Sequence, residues 1–215
     1  YVHHVGAAHL IDPSRLWRSA GRIYGDAMER LWGQILPAPA ERVVAIDDGD
    51  TIEVAGLRFV AHDTPGHAWH HHVFQLENVG FSGDAAGVRL VPDKWVSLPA
   101  PPPEFDLQAW QETLQKMQAL ALDALYLTHF GRVKDTADHL DRLQALLNAN
   151  TTFIRQQMEA GVERDDLVQA YREWNRQRAL DTDLSADAFK GRYEAANPLF
   201  MSVDGIARYW RKQGV

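Results

Sequence analysis

The spacing of apolar residues changes along this chain, from short runs in the first half to helical periodicity in the second. Five short β-rich runs lie before residue 83, separated by turn signals such as Asp47-Asp48-Gly49-Asp50: residues 43–46, 51–54, 57–61, 72–76 and 79–82. A sixth run lies at 125–128. Runs of this length and composition predict β-strands, so a sheet is expected in this part of the chain.

Helices are predicted where apolar residues recur every three or four positions, at 15–32, at 105–122 and from residue 136 nearly to the end. Asp12-Pro13-Ser14 is a start signal for the first helix, and Gly161 interrupts the last stretch. The opening residues 1–5 predict a strand instead. Strands followed by helix, strand and helix are typical of a layered α/β domain.

Composition narrows the class of protein. The 215 residues are 46% hydrophobic and 24% charged, which suits one compact core. A net charge of −7 argues against a nucleic-acid partner or an anionic membrane surface. No apolar run reaches the roughly 18–20 residues that span a bilayer. The absence of cysteine excludes disulfides and thiolate ligands and suits a reducing compartment, so a cytoplasmic location is predicted.

Histidine is concentrated at one predicted strand–turn–strand junction. Four of the chain's ten histidines lie within positions 67–72, immediately after Pro65-Gly66. His67, Asp84 and His129 each follow an apolar run, where a strand would deliver them to the rim of a sheet. A catalytic metal needs ligands that converge from separate elements, so these three are the candidate ligands. Without cysteine, imidazole and carboxylate must hold any such metal.

Other polar residues are assigned more ordinary roles. Consecutive side chains on a strand alternate in direction, so residues 70–72 cannot all be ligands, and one or two of them are expected either to orient the ligating imidazoles or to lie on the surface. His139 is expected on a solvated helix face. Glu104 and Asp106 are expected at a helix start, where acidic residues favour the helix dipole. No phosphate loop, serine-nucleophile elbow or helical His-Glu-x-x-His pair occurs.

Three segments, in this order, resemble motifs of the metallo-β-lactamase superfamily: Thr64-Pro65-Gly66-His67 its third, Ser82-Gly83-Asp84 its fourth and Thr128-His129-Phe130-Gly131 its fifth. Residues 2–4, 9–14, 68–71, 82–87, 102–106 and 197–210 are similar to an archaeal and bacterial branch of generic hydrolases in that family. The resemblance implies a four-layer αββα sandwich. Residues 1–150 would then be the C-terminal two thirds of the metallo-β-lactamase-like domain, and residues 151–215 a helical extension packed on it.

The resemblance also implies a chemistry. His67 would bind a first metal ion, Asp84 would bridge two ions and His129 would bind the second, with Thr64 and His71 as supporting residues behind them. The two divalent ions would be zinc, with iron and manganese as alternatives. A hydroxide held between them would attack an ester, thioester, lactone or similar small-molecule substrate.

One hallmark of the family, His-x-His-x-Asp-His, does not occur in these 215 residues. In the family it lies just upstream of the segment that matches residues 1–4, so the chain resembles such an enzyme with its first strands and metal loop missing or supplied separately. Two alternatives stay open. A mononuclear iron enzyme like the persulfide dioxygenases would use His67 and Asp84 and leave His129 free, and a non-catalytic fragment or scaffold would have an incomplete site. The helices from 167 to 210 either cover one side of the site or form a homodimer surface.

Overall fold

The computed structural model describes the backbone of residues 1–215 and every side chain except those at positions 23 and 24. A six-stranded sheet forms its centre, and a separate parallel pair of short strands lies nearer the N-terminus. The strands in chain order are β1 (Val2–His3), β2 (Ala45–Ile46), β3 (Thr51–Val54), β4 (Leu57–Asp63), β5 (His72–Leu76), β6 (Val79–Gly83), β7 (Ala124–Leu127) and β8 (Arg132–Val133). In the main sheet β3 to β8 follow chain order, and β6 and β7 are the parallel neighbours among antiparallel ones.

Helices precede, interrupt and follow the strands. They are α1 (His4–Ile11), α2 (Ser14–Tyr24), α3 (Met28–Trp32), α4 (Leu107–Ala119), α5 (Thr136–Glu159), α6 (Arg164–Leu180), α7 (Ala186–Ala188), α8 (Glu194–Ala196) and α9 (Leu199–Lys212). Three short 3₁₀ turns (Gly25–Ala27, Ala40–Arg42 and Asp84–Ala86) and one π-helical turn (Phe189–Tyr193) complete the helical structure. Within the part of the chain that the structure describes, none of these helices has both the length and the apolar character to cross a bilayer.

Helices α4 and α5 cover one face of the main sheet. Val73 of β5 and Leu125 of β7 lie in one apolar core with Trp110 and Leu114 of α4 and Leu143 of α5, and each is at most 1% exposed. Alternation along the strands sends these side chains to the helical face. Burial on this scale is the main source of stability for such a layer.

The opposite face of the sheet carries aromatic side chains. Phe74, Phe81 and Tyr126 are successive cross-strand partners on β5, β6 and β7. The rings of Phe81 and Tyr126 stack with centroids 5.2 Å apart, yet the residues are 39% and 38% exposed. Phe74 packs instead against a small buried group that includes Ala61. The face is therefore apolar but only partly covered.

The C-terminal helices belong to the same core as the sheet. Ile154 of α5, Tyr171 of α6 and Ile206 of α9 are at most 1% exposed and join the cluster that includes the sheet residues. The hydroxyl of Tyr171 donates a hydrogen bond to the Asn150 side chain in this interior. Helix α5 runs across position 150, so the predicted division at 150/151 falls inside one helix. The division into two units remains a prediction.

The mixed α/β class and the helical C-terminal region are confirmed, and the largest error lies at the N-terminus. The strand predicted over residues 1–5 is limited to Val2–His3, because helix α1 begins at His4. The Nδ1 atom of His3 accepts a hydrogen bond from the Val5 amide and so caps the helix. Strand β8 is also absent from the prediction, since two residues contain too little pattern to indicate a strand.

Candidate metal centre

The loop that carries His67 leaves the end of β4 and is fastened to helix α4. Gly66 has φ 134°, and a Cβ atom there would lie 2.3 Å from Cβ of Trp110, so this contact requires glycine. Thr113 donates its hydroxyl to the Pro65 carbonyl at 2.6 Å, and the Asp106 amide donates to the Gly66 carbonyl at 2.9 Å. These contacts fix the backbone immediately before His67.

His67 is held in one tautomer by a backbone carbonyl. Its Nδ1 atom lies 2.7 Å from the carbonyl oxygen of Pro99, which only accepts hydrogen bonds, so Nδ1 carries the proton. Nε2 is then a free lone pair, and it lies 3.6 Å from Oδ2 of Asp84. A carbonyl behind Nδ1 is the usual arrangement for an imidazole that binds a metal through Nε2.

The C-terminal helices fix the segment that holds His67. The Ser202 hydroxyl of α9 donates to the Leu98 carbonyl at 2.7 Å and accepts from the Ala100 amide at 3.2 Å, so it brackets Pro99. Asn197 adds a hydrogen bond to the Leu98 carbonyl at 3.0 Å. The region from 167 to 210 therefore supports the site through a backbone segment.

Asp84 begins the short 3₁₀ turn after β6, and its backbone is tied to His71. The Asp84 amide donates to Nε2 of His71 at 3.2 Å, so Nδ1 of His71 carries the proton and donates to the Thr64 hydroxyl at 2.7 Å. Gly83 has φ 52°, and a Cβ atom there would lie 2.3 Å from that Nε2 atom. Both nitrogens of His71 are thus occupied, Nε2 by the Asp84 amide and Nδ1 by the Thr64 hydroxyl.

Burial, reinforced by the nearby His67, lowers the pKa of His71 to about 4. His71 is therefore neutral at pH 7, which its two hydrogen bonds require. Burial by itself would raise the pKa of Asp84, but its contact with His129 and the proximity of His67 outweigh burial and hold that pKa below its usual range. The carboxylate is ionised at neutral pH.

His129 lies in the turn after β7 and approaches Asp84 from the other side. Its Nε2 atom is 3.2 Å from Oδ1 of Asp84, without the alignment of a hydrogen bond, and this Oδ1 is buried with no hydrogen-bond partner. An unpartnered buried acceptor flanked by imidazole nitrogens fits a cation. The donor set of imidazole nitrogen and carboxylate oxygen also suits zinc, iron or manganese.

Each imidazole faces a different oxygen of the same carboxylate. His67 is nearest Oδ2 and His129 is nearest Oδ1, at 3.6 Å and 3.2 Å. This arrangement suits a carboxylate that bridges two ions. Among the described residues, the three-residue set whose ligand atoms all lie within 4.8 Å of one another is a different one, His3, Asp63 and His72, which the sequence analysis did not single out.

The structure corrects the placement of His139. The sequence predicted a solvated helix face, but His139 is completely buried and its Nε2 atom donates to the Ala86 carbonyl at 2.8 Å. Trp110 donates to the neighbouring Ala85 carbonyl at 2.8 Å. The 3₁₀ turn after Asp84 lies under helix α5, so one side chain of that helix has to satisfy a buried carbonyl. His139 therefore helps to position Asp84.

Of the two acidic residues predicted at the start of α4, Asp106 and Glu104, only one caps the helix. Asp106 accepts a hydrogen bond from the Ala109 amide at 2.9 Å. Glu104 instead accepts from the Trp69 amide at 3.1 Å and lies 3.1 Å from Nδ1 of His70. It closes the histidine-rich loop, a role that depends on two segments that are far apart in sequence.

These features define an α/β protein with imidazole and carboxylate groups converging at the strand ends of one mixed sheet. Residues 1–129 match the family model described as the metallo-beta-lactamase superfamily, and the chain belongs to this superfamily. The resemblance stated from the sequence motifs is confirmed.

Known relatives cover the chain to different extents. The metallo-beta-lactamase fold-containing protein ST1585 of Sulfurisphaera tokodaii is 27% identical over 131 residues, which are 60% of this chain and 49% of that protein. The chain thus spans about half the length of the curated relative it matches. The crystal structure of ST1585 from Sulfolobus tokodaii has a TM-score of 0.59 and 22% identity, covering 67% of this chain and 56% of that one.

A second crystal structure covers the whole chain. It is the metallo-beta-lactamase family protein TTHA1429 from Thermus thermophilus, with a TM-score of 0.64 and 19% identity, over 100% of this chain and 66% of that one. At such identities these structures establish the fold. They extend it through the C-terminal helices, which lie beyond the residues matched by the family model.

Proposed function

We propose that the protein is a metal-dependent hydrolase that acts on a small ester, thioester, lactone or similar substrate. One observation carries the proposal: Nε2 of His67 and Nε2 of His129 flank the Asp84 carboxylate, each nearest a different oxygen. Membership of the metallo-beta-lactamase superfamily supports the same class of activity. Zinc is the proposed metal, with iron and manganese as alternatives, because the donors are imidazole and carboxylate.

Two divalent ions bound at this site would make a water molecule nucleophilic near neutral pH and polarise the bond to be cleaved. The residues of the chain provide the geometry. His67 presents its Nε2 lone pair, His129 places its Nε2 atom on the other side, and Asp84 presents one oxygen to each of them. His71 and Thr64 hold the Asp84 backbone and leave its carboxylate free to bind metal. Because His71 is neutral, it places no positive charge beside the ions.

The mononuclear iron alternative is not favoured. It leaves His129 free, whereas His129 lies at least as close to the Asp84 carboxylate as His67 does. A single metal bound by His67 and Asp84 alone would not account for the position of His129 beside Oδ1 of Asp84. The same pair of distances therefore favours two ions over one.

Metal content of the full-length protein, purified without chelators and measured by mass spectrometry, is the test. We expect at least two ions per chain and hydrolysis of at least one member of a panel of thioesters, lactones and phosphodiesters. Asp84→Asn should reduce both. His62→Gln is the matched control, because His62 hydrogen-bonds to Gln75 on β5 and touches none of the three candidate ligands.

Unchanged metal content and unchanged hydrolysis in Asp84→Asn would refute the proposal. A wild-type protein without metal and without hydrolysis would favour the non-catalytic scaffold instead. One iron per chain, with oxygen consumption in place of hydrolysis, would restore the mononuclear alternative.

A further inference from the structure

A second group of potential ligands lies at the junction between the N-terminal strand pair and the main sheet. His3 ends β1, Asp63 ends β4 and His72 begins β5. Each offers one ligand atom, and these atoms all lie within 4.8 Å of one another. Three separate elements therefore deliver two imidazoles and one carboxylate to one point.

The Asp63 carboxylate is the centre of this group. Its Oδ1 atom lies 2.5 Å from Nε2 of His72 and 3.6 Å from Nε2 of His3, and the two imidazole rings are 4.6 Å apart between centroids. The histidine side chains are only 3% and 7% exposed, whereas the Asp63 side chain is 36% exposed. A cation could therefore enter past the carboxylate and meet two buried imidazoles behind it.

This group is separate from the centre at Asp84. His71 and His72 are consecutive and point to opposite sides of the chain, as alternation requires. His71 contacts the Asp84 backbone, whereas His72 contacts Asp63, its cross-strand neighbour on β4. A ligand at one group does not use any side chain of the other.

We propose that His3, Asp63 and His72 bind a divalent cation of the zinc type, distinct from the ions proposed at Asp84. Two imidazoles and one carboxylate supply three of the four ligands of a tetrahedral zinc site, and water can supply the fourth. Cobalt(II) and nickel(II) suit the same donors. The cation would join the β1–β2 pair to the main sheet, because His3 comes from the pair and the other two ligands come from the sheet.

Small rearrangements accompany binding. Ligand atoms at about 2.0–2.1 Å from a tetrahedral ion lie roughly 3.3 Å apart, so Asp63 and His72 must separate slightly, while Asp63 and His3 are already near that spacing. In the metal-free protein, Nδ1 of His3 accepts the Val5 amide, so its Nε2 carries the proton. Binding moves that proton to Nδ1, with no net proton release, and the Val5 amide loses this acceptor. The same shift at His72 leaves both imidazoles neutral.

Cobalt(II) binding separates this site from the proposed catalytic centre. The full-length protein would first carry His67→Ala, Asp84→Asn and His129→Ala, which remove the ligands of that centre. We expect this variant still to bind one cobalt ion per chain with the visible absorption bands of tetrahedral coordination. Zinc should also raise the unfolding temperature of this variant, because a ligand that binds only the folded state stabilises that state.

Adding His72→Phe to this variant should weaken cobalt binding by more than the roughly 10–100-fold that is typical of losing an outer partner of a ligand. Adding His62→Phe is the matched control, since His62 is a half-buried histidine on β4 that contacts Gln75 instead. Asp63→Asn is a second variant that is less prone to a folding defect, because the amide oxygen can still accept a hydrogen bond from His72 while the negative charge is lost. It should also weaken cobalt binding.

The proposal fails if the variant that lacks the Asp84 centre binds no cobalt, or if His72→Phe and His62→Phe bind it equally. Either result would leave the proposed hydrolase intact, because its metal content is measured in the protein with His67, Asp84 and His129 present. If the wild-type protein instead binds no metal at the Asp84 centre but binds cobalt at His3, Asp63 and His72, the hydrolase proposal fails and the second site stands.

Discussion

At the scale of single residues, the candidate centre depends on which imidazole nitrogen is free. His67 and His71 lie four positions apart in one loop, yet they have different tasks. The Pro99 carbonyl accepts a hydrogen bond from Nδ1–H of His67 and so leaves Nε2 available, whereas the Asp84 amide donates to Nε2 of His71. The same side chain therefore acts as a candidate ligand in one position and as a support in the other.

His71 makes the stability of the metal-free protein depend on pH. Burial lowers its pKa from 6.5 to about 4, so the unfolded chain binds a proton at a higher pH than the folded chain does. The stabilisation is fully present above pH 6.5 and is lost as the pH falls towards 4, by up to about 3 kcal/mol. Chemical denaturation between pH 7 and pH 4.5 measures it. His71→Gln should reduce the slope of stability against pH, and an unchanged slope would contradict the assignment.

Gly83→Ala tests the close contact beneath Asp84. The new Cβ atom would lie 2.3 Å from Nε2 of His71 at a residue with φ 52°, so both strain and displacement are expected. We expect a loss of roughly 1–3 kcal/mol in the free energy of unfolding, together with a lower metal content. Gly161→Ala is the control, because Gly161 has φ 74° but open space around its Cβ position. Gly161→Ala should lower the free energy of unfolding through backbone strain but leave the metal content unchanged.

At the scale of elements, the strand ends deliver the candidate ligands and the helices hold them there. Helix α4 fastens the loop before His67, and helix α5 supports the turn after Asp84 through the buried His139. Helix α9 supports the Pro99 carbonyl from a distance of about a hundred residues along the chain. The site therefore depends on elements that contribute no ligand of their own.

Ser202→Ala should weaken the site from helix α9. The change removes one donor to the Leu98 carbonyl and one acceptor for the Ala100 amide, both buried, at a cost of about 1–3 kcal/mol. Metal affinity should fall because the Pro99 carbonyl between them moves away from His67. Denaturation and metal titration measure the two effects. Ser185→Ala removes an exposed cap of α7 and should cost stability alone.

At the scale of the whole molecule, one continuous core joins the sheet to the C-terminal helices. Helix α5 crosses the predicted division at residue 150, and Ile206 of α9 lies in the same buried cluster as Val73 of β5. The other face of the sheet has Phe81 and Tyr126 partly exposed. The sheet and the helices on its covered face are therefore expected to unfold cooperatively, in one transition.

Ile206→Ala tests this cooperation. Ile206 is completely buried, so the cavity should cost about 2–5 kcal/mol. If the core is continuous, fluorescence and circular dichroism should report one shifted transition that includes the sheet. Separate transitions for the C-terminal helices and for the sheet would support an independent unit at residues 151–215. Val5→Ala, at an exposed position, should leave the transition unchanged.

Local patterns predicted much of the fold but missed elements that depend on distant contacts. Thr51–Val54 and His72–Leu76 were predicted to the residue, because turn signals bound both runs closely. Strand β8 was missed because its two residues pair only with β7. Helix α1 was missed because an apolar N-terminal run does not reveal that His3 caps a helix.

The sequence by itself determined the class of the fold, the family and the order of the candidate ligands His67, Asp84 and His129, because motifs and periodicity are local properties of the chain. Only the tertiary structure decided that Nε2 of His67 is free while both nitrogens of His71 are bonded, since the partner of His67 lies 32 residues away and hydrogen bonding depends on atomic positions. The group of His3, Asp63 and His72 likewise exists only after folding, when the ends of three strands meet.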